Sequence, residues 1–222
     1  MKLLKKEDFK SKERLACLFF VISVCLYVIL TFIAMSFYPG GYSFTKHYFS
    51  SLGQIRVNGA DNTIARTLFI ISCTIVAIAF IPFWLIMPIL YEKNNTAKYL
   101  SKLGAICGVF SALFLPFIAI VPLDWGYDVH MIPTDIFFFG TTTTLLLFSI
   151  AMFFNEERSN LLGIIGVVFA IVVYLYVFRF FDIIRPIMQK IIIYSFILWA
   201  FVQIAQIWKI TGYYNYSINN NI

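Results

Sequence analysis

An all-α, polytopic membrane fold, a bundle of six transmembrane helices with both termini cytoplasmic, is predicted by three features of this sequence. Of its 222 residues 61% are hydrophobic and only 13% charged, with a mean hydropathy of +0.85, far too apolar for a water-soluble domain of that size. The apolar residues fall in unbroken windows of about 18 to 25, the length a helix needs to cross roughly 30 Å of hydrocarbon. Barrel strands alternate apolar and polar side chains, so such runs leave a helical bundle. Finally, Lys2, Lys5, Lys6, Lys10, Lys12 and Arg14 all precede the first run, where the positive-inside rule places cytoplasmic charge. The net charge of +6 therefore reads as topology. Its basic residues form no stripe for nucleic acid, although the amino-terminal cluster would also attract anionic headgroups.

Residues 1-14 form a basic cytoplasmic segment, 15-209 the transmembrane domain and 210-222 a polar tail. The first helix, 15-37, is too long for the core of a signal peptide. YPGG at Tyr38–Gly41 ends it and opens the longest loop, Tyr38 to Asn62. The second helix, 63-91, carries Pro82 and Pro88, which should kink it or fray its inner end. The third, 102-123, spaces Gly104, Gly108 and Ala112 four residues apart, a small-residue face that lets a neighbouring helix approach closely.

The polar turn VPLDWGYDVHMIPTD, Val121 to Asp135, leads into the fourth helix, 132-154, with Asp135 as its expected cap or first-turn dipole partner. Thr141 to Thr144 lie near its middle, where hydroxyls can bond back to the preceding turn. The fifth helix, 161-178, again offers small contacts at Gly163, Gly166 and Ala170. RFFDIIRP, Arg179 to Pro186, is an outer loop before the sixth helix, 187-207, and the asparagine-rich tail is expected to be disordered. Cys17, Cys25, Cys73 and Cys107 all lie in apolar runs, so they read as small hydrophobes rather than disulfide or metal thiols.

With this layout eleven of the seventeen Lys and Arg are inside, and Lys46, Arg56, Arg66, Arg179, Arg185 and Lys190 are outside. Asp61, Asp124, Asp128, Asp135 and Asp182 share the outer side, where no glutamate falls. Short carboxylates suit caps, turns and fixed partners, and cations at that depth must snorkel or pair. His47 and His130 are outer as well. Neither stands in HxxxH or HExxH spacing, so no metal and no cofactor is expected. Tyr38, Tyr42, Tyr48, Trp125 and Tyr127 form an interfacial aromatic belt.

Two stretches together resemble a prokaryotic six-helix membrane family, domain of unknown function 998. YPGGYSFTKHYFSSLG, Tyr38 to Gly53, is similar to that family's first outer loop. VPLDWGYDVH, Val121 to His130, is similar to its proline–aspartate turn before the fourth helix. The family aspartate before Leu-Gly is Ser51 here, and Lys46 and His47 stand near the family's asparagine. The pattern is more distantly similar to the Frag1/DRAM/Sfk1 group, whose members are associated with lipid and membrane organisation. Neither resemblance implies an established reaction.

The function expected is that of a non-catalytic multi-pass protein of the cell membrane. Its extracytoplasmic site, drawn from His47, Arg56, Arg66, Asp124, His130, Arg179 and Asp182, would bind a lipid headgroup or another membrane protein. The alternative is an integral-membrane enzyme acting on a lipid or isoprenoid, with His130 as acid–base group oriented by Asp124 or Asp128. A small-solute transporter ranks third, because few polar residues continue through the midplane.

Overall fold

The computed structural model describes the backbone of residues 2–219 and the side chains of residues 12–211. Seven helices build it: α1 (Lys2–Ser36), α2 (Thr63–Ile86), α3 (Asn95–Ala112), α4 (Leu115–Ile120), α5 (Tyr127–Phe153), α6 (Asn160–Val177) and α7 (Arg185–Asn219). Because α3 and α4 form one span, six stretches are long and apolar enough to cross a membrane. The only strands among the described residues are a hairpin of β1 (Arg56–Val57) and β2 (Ala60–Asp61). The all-α six-helix expectation is met, and the differences lie at the helix ends.

The third span begins at Asn95, not Lys102, because the Asn94 side chain accepts from the Ala97 amide at 3.0 Å and supplies the start. It also breaks after Ala112. Pro116 has no N–H to give the Ala112 carbonyl, so the backbone turns at Leu113–Phe114 and restarts as α4. The fourth span starts at Tyr127 rather than Ile132, on Gly126 with a φ of 116°. Asp128, not Asp135, is therefore the acid of its first turn, and Asp135 stands two turns inside the helix. α7 continues past Ile207 to Asn219, into the tail expected to be disordered; residues 220–222 lie outside the described residues.

In lipid there is no water to expel, so the bundle is held by close packing. α3 runs along α5, α1 along α2 and α5 along α6, while α7 is packed more sparsely on α1 and α6. The centre is aromatic. Trp84 is stacked on Phe80 and Phe148, with ring centroids 5.8 Å and 5.9 Å away, and tilted against Phe196 and Trp199. Gly108 makes room for the indole. A Cβ there would sit 2.7 Å from two ring atoms of Trp84, so the small-residue face expected on the third helix serves packing within the chain.

Candidate functional site

One end of the bundle gathers the long 37–62 connection, the 121–126 turn and the 178–184 connection. Residues 49–53 of the first are buried, so this connection folds down as a plug. Local chemistry shapes it. Asn58 and Gly59, at φ 51° and 83°, form the two-residue turn that closes β1 onto β2, with both residues left-handed as a tight hairpin requires. Arg56 and Asp61 face each other across that hairpin, and Asp61 accepts from the Thr63 amide and hydroxyl at 3.1 Å and 2.9 Å at the start of α2. The Tyr42 hydroxyl donates to the His47 and Tyr48 carbonyls at 3.2 Å and 2.9 Å. Burial holds the phenols of Tyr42 and Tyr48 above their ordinary range. His47 accepts from the Ser43 amide at 3.0 Å through Nδ1, which commits that nitrogen to its own loop.

Side chains from the helices then pin the plug. Asn62 donates to the Leu52 and Gln54 carbonyls at 3.1 Å and 2.8 Å. Arg66 bridges the Gly53 and Ile120 carbonyls, both at 3.2 Å. Asp124 accepts from the Ile55 amide. From α7, Gln189 accepts from the Phe49 amide at 2.8 Å. Lys190 donates to the His47 carbonyl and, at 3.1 Å, to the Pro186 carbonyl. Its ammonium lies 5.5, 5.1 and 5.2 Å from the ring centroids of Tyr42, Phe44 and Phe49, and only 1% of the residue is exposed. Among the described residues no carboxylate pairs with it; carbonyl dipoles and ring faces stabilise the cation instead.

A second group of charges lies over α5, α6 and α7. The Arg185 guanidinium donates to the Tyr127 hydroxyl at 3.3 Å, approaches Asp182 at 3.7 Å and stacks 5.2 Å from the Tyr176 ring. Arg179, at a φ of 67°, covers Tyr127 at 5.2 Å. The left-handed backbone strains a non-glycine residue, and here it turns the chain between α6 and α7. Asp135 interacts electrostatically with both guanidiniums and with His130. Beneath them Tyr176 packs on Phe138 at 5.4 Å, in one cluster with Val173 and Ile192. Phe138, Val173 and Ile192 in turn line an apolar cavity of about 70 Å³ that reaches α1 at Val24 and α7 at Phe196. The column from rim to interior therefore runs guanidinium, tyrosine, then apolar void.

The residues singled out in the sequence all stand at this end, but not as one constellation. His130 is buried, and its Nδ1 lies 2.7 Å from the Val121 carbonyl. A carbonyl only accepts, so that nitrogen carries the proton. Asp124 is engaged by Ile55 and Asp128 is exposed; neither carboxylate is a hydrogen-bond partner of His130. Among the described residues no group of three His, Cys, Asp or Glu is placed to hold a metal ion. Sequence reasoning missed Asn62, Gln189 and Tyr176. Asn62 stands just before a helix start, a position that signals a cap, whereas the other two carry no local signal because their partners are remote in the chain.

A family model described as "Protein of unknown function (DUF998)" matches residues 21–206. No curated protein and no solved structure matches the chain.

Proposed function

This chain belongs to the DUF998 family, and we propose that it is a non-catalytic multi-pass protein of the cell membrane whose loop-rich end binds the headgroup of an anionic phospholipid. Both termini are cytoplasmic on this reading and the site faces the opposite side, in keeping with the basic residues concentrated before the first span. One observation carries it: Arg185 stacks on Tyr176, which packs on Phe138 in the wall of an apolar cavity, and Arg179 stacks on the neighbouring Tyr127. That order of cation, ring and void matches the phosphate, glycerol and chain of a lipid, and guanidiniums bind phosphate through forked, charge-assisted hydrogen bonds.

Further support comes from the alternative chemistry. His130 Nδ1 is engaged by the Val121 carbonyl and Asp124 by the Ile55 amide, so the two are not joined as the acid–base pair expected of a lipid or isoprenoid enzyme. Thr142 and Thr144 return their hydroxyls to the Phe138 and Gly140 carbonyls, and Thr141 pairs with Ser111, so they do not extend a polar path for a solute.

Charge-assisted contacts are worth about 1.5–3 kcal/mol each, and losing both cations should lower lipid occupancy at least roughly tenfold. Native mass spectrometry of the purified protein tests this. Wild-type protein should carry anionic phospholipid that Arg179→Gln/Arg185→Gln has lost. Equal lipid content in the two would refute the reading.

A further inference from the structure

Resting on that reading, we infer that the cavity lined by α1, α2, α4, α5, α6 and α7 seats the end of one acyl chain of the bound lipid, which enters sideways from the bilayer between α6 and α7. Depth is the first argument. Ile192 and Ile197, which line the cavity on α7, lie seven and twelve residues below Arg185, or about 10 to 18 Å along the helix at 1.5 Å per residue. One leaflet of hydrocarbon is roughly 15 Å deep. A chain hanging from a phosphate at Arg185 thus brings its terminal carbons, not its glycerol end, to the cavity.

Volume is the second. At about 70 Å³ the space is near half that of the roughly 150 Å³ apolar cavity known to accept benzene, so it holds about three carbons. That suits the end of a single chain and excludes a pair of chains or a sterol-sized ring system. Because lipid is already apolar, no hydrophobic gain drives the chain in. The gain is contact with walls that would otherwise face a void, worth on the order of tenfold in occupancy for a void of this size.

The portal is the third. α6 has 18 residues, about 27 Å of helix, barely the hydrocarbon thickness, so the 178–184 connection lies at the boundary of headgroups and chains. It is built for that depth: Phe178, Phe180 and Ile184 are exposed and Ile183 is 98% exposed, apolar side chains that interfacial lipid would cover. Arg179 and Arg185 flank the same connection, so the headgroup site and the side entrance coincide. Phe169 and Val173 of α6 and Ile193 of α7 all reach the cavity, and α6 and α7 are sparsely packed together.

The experiment uses the whole protein in nanodiscs containing equimolar dilauroyl and palmitoyl-oleoyl species of both phosphatidylglycerol and phosphatidylcholine, with bound lipid read by native mass spectrometry. Wild-type protein should enrich the longer-chain species about tenfold within each headgroup class. Val173→Phe, and independently Val24→Phe from the facing wall, should abolish that chain preference while keeping phosphatidylglycerol over phosphatidylcholine. Either variant suffices if the other does not fold. A wild type without chain preference, or a folded variant that keeps it, overturns the chain seat. Loss of the headgroup preference alone in the wild type overturns the headgroup reading and leaves the chain preference as a separate result.

Discussion

Replacing Gly108 by alanine adds one methyl group at the most crowded point of the bundle. An ideal Cβ at that position lies 2.7 Å from Cγ and Cδ2 of Trp84 and 2.9 Å from Cδ1, well inside van der Waals contact. The indole has nowhere to retreat. It is 1% exposed, and its faces are held by Phe80 and Phe148 while Phe196 and Trp199 close its edges. The methyl group must therefore push α3 away from α2, and overpacking of this kind costs about 1–3 kcal/mol. For a chain of this length that corresponds to a fall of roughly 2 to 12 °C in the unfolding midpoint. Gly104→Ala is the internal comparison, since its Cβ would meet Phe148 at 3.2 Å, a milder approach than the one at Gly108. Thermal unfolding in one detergent should rank wild type, Gly104→Ala and Gly108→Ala in descending stability. A Gly108→Ala protein as stable as wild type would refute the packing described around Trp84.

Gln189→Leu removes the acceptor of the buried Phe49 amide and should cost about 1–3 kcal/mol, seen as faster hydrogen exchange across residues 49–53 with α5 unaffected. His130→Leu orphans the Val121 carbonyl and should destabilise by a similar amount, about 1–3 kcal/mol, while His130→Asn, which keeps a donor near Nδ1, should recover most of it; equal loss in both would contradict the staple. Burial raises the Tyr42 phenol above its ordinary 10.0, so the folded loop favours the neutral form. Its contribution is complete below pH 10.0 and is lost as pH rises above that value. Proteolysis of the 37–62 connection should accelerate above that pH in wild type and change less in Tyr42→Phe.

The spans were legible because the bilayer makes a demand that sequence displays directly: each crossing must be long, apolar and internally hydrogen-bonded. Their ends were less so. Asn94 caps α3 eight residues before the charge at Lys102 that marked the expected start, and an asparagine in a polar stretch looks the same whether it caps or not. The fourth helix was expected from Ile132 with Asp135 as its cap, yet it starts at Tyr127 on Gly126 and contains Pro133, because a membrane helix tolerates proline where its neighbours satisfy the freed backbone groups. The Asp, His and stray cations were expected together at one end of the bundle, and they do stand there. Their roles were not readable, since the decisive contacts join residues far apart: Lys190 to the His47 carbonyl, Gln189 to the Phe49 amide, Arg66 to the Ile120 carbonyl. Backbone acceptors carry no letter in a sequence, so a cation satisfied by carbonyls appears unpaired until the fold is known. His130 and Asp124, expected to work together, each take a main-chain partner instead, and that too carries no letter in a sequence.

The dependence of the proposed site on its plug follows from these contacts. Lys190 and Gln189 lie one turn above Ile192 and Ile193, which line the cavity, and they hold the 37–62 connection over it. Loosening that connection should therefore expose the upper part of the cavity to water before the helices separate, which places the Gln189→Leu variant on the same axis as lipid retention.

The most direct measurement is the headgroup composition of lipid bound to wild-type protein in nanodiscs made with equal amounts of phosphatidylglycerol and phosphatidylcholine of matched chains. The account predicts several-fold enrichment of phosphatidylglycerol in the lipid that stays bound. A bound fraction with the same composition as the surrounding bilayer would contradict it.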